Sequence, residues 1–322
     1  MAFPNVSPIV ATTIESRTGA FADNVSNTNA LLSEIKKSGG IKPFSGGSTI
    51  FQEIVFAENP NTAWYSGADT LALAANDEFS AAQFGIKQAS TQVVLTGLEL
   101  LQNSGKEQFI DLLEAKIDNA QRSLTNLLVK GLYSDGTANS GKQITGLAAA
   151  VPVSNATGVY GNIDRATWTF WRNKKMKGGG VDYAGALDKT TIQAQMTSML
   201  NSLQRGNDAP NLIVMDPTMY NAFQLSMTAD QRYMDAGKAN RGFSSMSFYG
   251  IPVVMESIAS GIAAGTIYFL NTDFLFLRPH TKRNMVRLDL GQSTNQDLIS
   301  QSMAWAGNLT SSGPQFQGVI QN

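Results

Sequence analysis

The sequence predicts an α+β chain in which a compact α/β lobe carries extended appendages. Three observations lead there. Residues 1–47 and 48–96 are long stretches without the regular apolar spacing that builds a core. Residues 104–131 carry one long amphipathic helical pattern. From residue 190 onward, helix-like and strand-like patterns alternate at short intervals.

Residues 1–47 read as an arm. Pro4, Pro8 and Pro43 punctuate it, and Gly39-Gly40 and Gly46-Gly47 break it. One short helix fits from Asn29 to Lys37, with Leu31, Leu32 and Ile35 on one side. Such a segment must lie on its own body or on a neighbour.

Residues 48–96 read as a β-excursion. STIFQEIVFAE (48–58) and IKQASTQVVLT (86–96) are rich in β-branched and aromatic residues, and Asn59-Pro60-Asn61 is a turn signal. A Gly/Ala/Asp-rich stretch between them carries Trp64 and Tyr65. Neither strand has one clean apolar face. A two-stranded ribbon alone is marginal in water, so the excursion is expected to dock on another surface.

The helix at 104–131 opens with a capping box, Ser104 to Glu107. Phe109, Leu113, Ile117, Ala120, Leu124, Leu127 and Leu128 recur at spacings of three and four, and Gly131 supplies the stop. Such a helix spans on the order of 39 Å, which suits a spine. Residues 135–190 are glycine-rich and loop-like, with a basic, aromatic segment inside, RATWTFWRNKKMK (165–177).

The lobe then begins. Thr190 and Gln193 fit a second capping box ahead of Ile192, Met196, Met199, Leu200 and Leu203. NLIVM (211–215) reads as a buried strand, and Asp216 caps a helix with Pro217 at its first position. IPVVM (251–255), TIYFL (266–270) and FLFLR (274–278) are further strands. Over 298–306, Ile299, Met303 and Trp305 alternate with small polar residues, one half-buried face.

Composition narrows the function. Hydrophobic residues make up 43% of the 322, enough for a sizeable core. Charged residues are only 15% against about 25% in ordinary soluble chains, which suits surfaces covered by partners. A net charge of −1 argues against a dedicated nucleic-acid binder. The absence of cysteine removes disulfides, thiolate catalysis and Cys-ligated metal sites, and a single histidine, His280, removes two-histidine metal motifs. No membrane span and no secretory leader are expected.

Few motifs carry chemistry. Gly136 to Lys142 (GTANSGK) matches the first seven positions of a phosphate-binding loop, but Gln143 stands where a hydroxyl should hold magnesium, and a helix rather than a strand precedes it. It reads as a glycine-rich turn. Arg172, Lys174, Lys175 and Lys177 lie beside Trp168, Phe170 and Trp171. That cluster fits three roles: phosphate contact with base stacking, a solvated loop anchored by its aromatics, or a subunit contact, where Trp and Arg are enriched. His280 lacks a Gly-X-Ser-X-Gly elbow to partner. No catalytic, cofactor or metal residue is assigned, and a non-enzymatic role is expected. The candidate subunit-interface residues are Trp64, Tyr65, Trp168, Trp171, Arg172, Lys174 and Lys175.

Short landmarks in order along the chain add a family resemblance. They are NALL (29–32) with Lys36-Lys37, WYSG (64–67), GLELLQN (97–103) leading into KEQFIDLL (106–113), and LYSDGT (132–137). DRATW (164–168) with FWRN (170–173), YFLNT (268–272), WAGNLT (305–310) and QGV (317–319) follow. Together they make the chain resemble the major capsid proteins of tailed double-stranded-DNA bacteriophages.

The resemblance implies the tailed-phage major capsid fold. It makes 1–47 an N-terminal arm and 48–96 an extended loop lying across the adjacent subunit. It makes 97–144 and 271–322 a peripheral domain with spine helix 104–131, its sheet completed by strands near 274–320, and 145–270 an axial α/β domain. It implies a self-assembling structural subunit forming homo-hexamers and homo-pentamers of an icosahedral head, located in the virion and, during assembly, in the host cytoplasm. Non-specific contact with packaged double-stranded DNA and a portal come with it. So does a separate scaffolding protein, or a chain already matured, because the charged helical extension of some relatives is missing. Two other readings stay open: an encapsulin-like container for cargo enzymes and, more remotely, a nucleotide-binding enzyme using Gly136–Lys142.

Overall fold

The computed structural model describes residues 30–102, 106–178, 185–206, 208–227, 246–287, 291–292 and 297–322. The Ser104 half of the first capping box lies outside them, as do residues 1–29 of the arm.

Two sheets organise the chain, and the small hairpin of β4 (Val159–Tyr160) and β5 (Ile163–Asp164) stands outside them. The first centres on β14 (Leu298–Ser311), the longest strand. Along one edge β14 pairs antiparallel with β3 (Lys87–Thr96) over ten positions, from Leu298 opposite Thr96 to Gly307 opposite Lys87. Along the other it meets β11 (Leu275–Pro279), β12 (Val286–Arg287) and β13 (Gly291–Gln292). The spine helix α3 (Lys106–Leu132), about 40 Å long at 1.5 Å per residue, packs on β3 and β14. Ile117, Ala120 and Leu124 face inward as the periodicity predicts. Leu127, expected on that face, is 48% exposed, and Val129 is buried instead. The preceding helix α2 (Gly97–Gln102) is tied to the spine by the Lys116–Glu99 ion pair at 3.1 Å.

The second sheet has the order β6-β15-β10-β7-β9-β8. Its strands are β6 (Lys174–Lys177), β7 (Leu212–Met215), β8 (Met246–Phe248), β9 (Ile251–Met255), β10 (Thr266–Leu270) and β15 (Gly318–Gln321). The β6–β15 and β7–β9 pairs are parallel and the rest antiparallel. Helices α4 (Ile192–Leu203) and α5 (Pro217–Ser226) pack on it. β7 and β10 are buried on both faces. Ile213, Met215, Ile267 and Phe269 join the core with the helices, while Leu212, Val214, Tyr268 and Leu270 join the core shared with the spine. The period-two alternation thus fuses the lobe to the rest of the chain through one sheet.

Asp216 caps α5 as expected, accepting from the Met219 and Thr218 N–H groups. The second capping box is corrected. Thr190 does not cap α4; the Asp188 carboxylate accepts from the Thr190 and Thr191 N–H groups at 2.8 and 3.0 Å, and Gln193 reaches across to the Ser226 carbonyl. The Thr190 hydroxyl is itself a donor to Asp188, and the helix starts one residue later than the box requires, with Thr191 at its N-cap.

Helix α1 (Ala30–Lys37) forms where the sequence places it, with Leu31 and Ile35 fully buried. Residues 40–44 then run beside β11. Lys42 N–H donates to the Leu277 carbonyl, Leu277 N–H to that of Gly40, and Phe44 N–H to that of Pro279. This part of the arm therefore rests on its own body.

The excursion differs from the expectation in its pairing. β1 (Thr49–Val55) pairs not with 86–96 but with β2 (Phe79–Gly85), Thr49 opposite Gly85 and Val55 opposite Phe79. The chain turns back earlier than its β-branched content suggested, and 87–96 joins the five-stranded sheet, where Val93 and Leu95 are buried. The carboxy-terminal end is corrected likewise: β11 and β14 complete the first sheet, but β15 crosses into the second, between β6 and β10.

Candidate subunit-contact surfaces

The ribbon β1–β2 has two unlike faces. Ile50, Ile54, Ala82 and Phe84 point inward and are buried. Phe84 meets the Tyr160 ring edge-on with centroids 5.1 Å apart. Gln83 N–H donates to the Gly161 carbonyl at 2.9 Å. Gly161 has φ +59°, and a Cβ there would come within 2.8 Å of Phe84 and 3.0 Å of Ala82. Only glycine allows both the backbone turn and the close approach of the ribbon.

The opposite face carries Phe51, Val55 and Phe79, all exposed. Beyond the ribbon, residues 56–78 form a tip closed by Asn61, whose side chain donates to the Ala74 carbonyl at 2.8 Å and accepts from its N–H at 3.3 Å. Trp64 at the tip is 104% exposed, Leu73 97% and Tyr65 68%. Burying one such aromatic removes about 150–250 Å² from water, about 4–6 kcal/mol before ordering costs. So much apolar side chain left in water marks an interaction surface.

The basic, aromatic segment divides by depth. Trp171, in the 3₁₀ turn Thr169–Trp171, is fully buried, its Nε1–H donating to the Tyr160 carbonyl at 2.9 Å. As a contact residue it is therefore corrected: it has no surface to offer a neighbour, because its ring fills the space between Tyr160 and Phe170. Trp168 stays half-exposed, edge-on to Phe56 at the foot of the excursion tip. Arg165 is buried beneath the segment. Its guanidinium donates to the Ala149 and Ala150 carbonyls at 2.7 and 2.9 Å and lies over the Tyr160 ring. Burial holds it below the usual arginine range.

Arg172, Lys174 and Lys175 remain near the surface. Arg172 Nε and Nη2 donate to the Arg165 and Ala166 carbonyls at 2.6 and 2.8 Å, which fixes the guanidinium without neutralising it. Together with Arg205, beyond the end of α4, these cations line an open groove of about 510 Å³. Arg205 is the groove-lining cation that sequence reading misses. It lies thirty residues from Lys175 in the chain, and only the β6–β15 pairing and the packing of α4 bring it alongside.

The remaining motifs resolve simply. Gly136–Lys142 follows the spine helix as a turn, with Asn139 and Ser140 at positive φ. The Gly136 and Thr137 N–H groups donate to the Ser134 hydroxyl and the Asp135 carboxylate, and those of Gly141 and Lys142 to the Thr137 and Asn139 carbonyls, so these four are not free to cradle a phosphate. His280 Nδ1 accepts from the Lys282 N–H, and its ring stands edge-on to Phe44. Among the described residues no group of three or more His, Asp or Glu could hold a metal ion, and no helix is long and apolar enough to cross a membrane.

No family model matches this chain, and no curated protein does. Solved structures do. The capsid asymmetric unit of cyanophage A-1(L) superposes with a TM-score of 0.71 at 19% identity, over 94% of each chain. The capsid of a native GTA particle gives 0.58 at 13% identity over 99% of each. The chain has the tailed-phage capsid fold. The capsid of the myovirus phage XM1 matches it too, with a TM-score of 0.54 at 11% identity over 94% of each chain. Near-complete coverage on both sides means that the capsid fold accounts for excursion, spine, both sheets and lobe together.

Proposed function

We propose that this protein is the repeating structural subunit of an icosahedral phage head, assembling as homo-hexamers and homo-pentamers that enclose double-stranded DNA. One observation carries the reading: a chain that matches a capsid subunit over 94% of its length holds out a tip whose Trp64, Tyr65 and Leu73 have no cover of their own. A lattice of identical copies covers such a surface many times over, and the sum of many moderate contacts stabilises the shell. The role is structural and non-catalytic, in the virion after assembly in the host cytoplasm. A scaffolding protein, a portal and non-specific DNA contact complete the assembly.

In this reading residues 1–47 are the arm and the six-stranded sheet with α4 and α5 is the axial domain. The five-stranded sheet with the spine is the peripheral domain, to which 87–96 belongs, while 318–321 belongs to the axial one. The excursion proper is 48–86.

The test is excision of residues 57–77, closing the ribbon with a two-residue turn. Removing all of 48–96 would strip β3 from its ten-residue pairing with β14 and confound assembly with folding. Wild-type protein should give closed shells by electron microscopy and a matching sedimentation coefficient. The excised variant should melt like wild-type monomer and give none. Shells at normal yield from the excised variant overturn the docking role. Particles loaded with enzyme and devoid of DNA in infected or expressing cells replace the head reading with the encapsulin-like container.

A further inference from the structure

The excursion and the groove carry opposite charge. Residues 48–86 contain Glu53, Glu58, Asp69, Asp77 and Glu78 and not one Lys or Arg. Glu53, Glu58, Asp69 and Asp77 are exposed. The groove gathers Arg172, Lys174, Lys175 and Arg205, and its polar lining includes Asn155 and Gln315. Among the described residues, no carboxylate lies within ion-pair distance of any of these four cations. The Asp164 carboxylate, which feels the charge of Arg172, is occupied by the Ala166 N–H and the Thr167 hydroxyl. Asp208 is tied to Arg205 through backbone hydrogen bonds.

We infer that the groove receives the acidic excursion of a second copy of this chain, carboxylates meeting the four cations while Trp64 and Tyr65 pack against Phe170 in its lining and the adjoining Trp168. The inference rests on the shell-subunit reading and names the two halves of one of its contacts. Complementary fields of this kind fix register and speed encounter more than they add raw affinity. Reach is sufficient: from the ribbon end to mid-tip is about eleven residues, on the order of 35 Å when extended. The copy's own tip does not fill its own groove, since residues 57–77 stay exposed apart from Asn61, which is half-buried within the tip. The competing occupant of a basic groove is nucleic-acid phosphate. The uniform acidity of the excursion favours protein, because a segment with five acids and no base would otherwise repel both its counterparts and packaged DNA.

The experiment uses the full chain. A zero-length carbodiimide is applied to shells assembled from mixed isotopically light and heavy protein. Light-to-heavy cross-links from Glu58, Asp69 or Asp77 to Lys174 or Lys175 are expected. The pair Lys174→Glu with Lys175→Glu should slow assembly about tenfold at low salt. Adding Glu58→Lys and Asp77→Lys should restore it. Monomer melting controls for folding, and Lys175→Glu alone, at an exposed position, serves should the pair unfold. Wild-type assembly rates should fall between about 0.15 and 1 M salt as the screening length shrinks from about 8 to about 3 Å. Assembly of the groove variants at wild-type rate, or shells without those cross-links, overturns the pairing while leaving the shell reading intact. Undiminished assembly with lost binding to duplex DNA assigns the groove to phosphate and likewise overturns it. Wild-type protein that forms no shell at any concentration overturns the shell reading itself.

Discussion

Trp171 and Trp64 stand at the two extremes of this molecule. One is fully buried, its ring among Tyr160 and Phe170 and its indole N–H bonded to a carbonyl; the other is fully in water. The regions around them differ in the same way. The body covers its central strands: β7 and β10 are buried on both faces, Asp216 binds the N–H groups at the start of α5, and Asp188 those of the turn that leads into α4. The excursion is satisfied only on the ribbon's inner face, where Ile50, Ile54 and Phe84 meet the body. The contrast teaches that one chain can close its core and still hold its most exposed apolar side chains, Trp64 and Leu73, out on an extended segment, while single ones such as Tyr249 and Leu225 stay exposed on the body.

Substituting the two tryptophans breaks or sharpens this contrast most directly. Trp171→Ala should lower monomer stability by about 3–5 kcal/mol, since it opens a large cavity and leaves the Tyr160 carbonyl without its donor. Trp64→Ala should change monomer stability by less than about 0.5 kcal/mol, as exposed substitutions do, while reducing shell yield. Denaturant unfolding of monomer and sedimentation of assembly mixtures read the two quantities separately. Equal destabilisation by both substitutions would erase the distinction between body and excursion.

The same pair shows how far the sequence could be read. Both tryptophans sit in loop-like, glycine-flanked stretches, and nothing local separates them; burial depends on whether Tyr160 and the ribbon arrive from elsewhere in the chain. Features written in consecutive residues were legible. The unbroken apolar run of NLIVM, the Asp216-Pro217 start of α5 and the apolar side of α1 follow from local sequence pattern and capping chemistry. Strand partnership was not. FSAAQFG (79–85) has the small, polar look of a loop, and it becomes a strand because Gly161 lets Phe84 and Ala82 settle against the body. The short β15 gives no sign of which sheet it will join. The groove was legible in three of its four cations; Arg205 reaches it only through tertiary packing.

A smaller effect tests how self-sufficient the body is. Asp216 is fully buried and accepts from the Thr218 and Met219 N–H groups at 3.3 and 3.1 Å. Asp216→Ala should cost about 2 kcal/mol, the upper end for lost helix caps, because both donors lose their partner out of reach of water. Asp216→Asn keeps an acceptor oxygen and should recover most of the loss. The cost should be the same in the variant lacking residues 57–77, because the cap belongs wholly to the body.

The smallest effect is one of pH, and it lies at Asp188. Its carboxylate takes hydrogen bonds from the Thr190 hydroxyl and N–H and from those of Thr191, and these hold its pKa at about 2, below the usual aspartate range. The Thr190 hydroxyl is the largest contributor. Because the folded value lies below the unfolded one, the carboxylate stabilises the start of α4 in full above the ordinary aspartate pKa of about 3.9, and that contribution is lost as pH falls towards about 2. The melting-temperature gap between the excised chain and its Asp188→Ala derivative should therefore be constant at neutral pH and close between pH about 4 and about 2. The excised background keeps assembly out of the measurement. A gap that stays open at low pH would mean that the Thr190 and Thr191 contacts do not favour the charged form, and that the lobe starts α4 by backbone geometry alone.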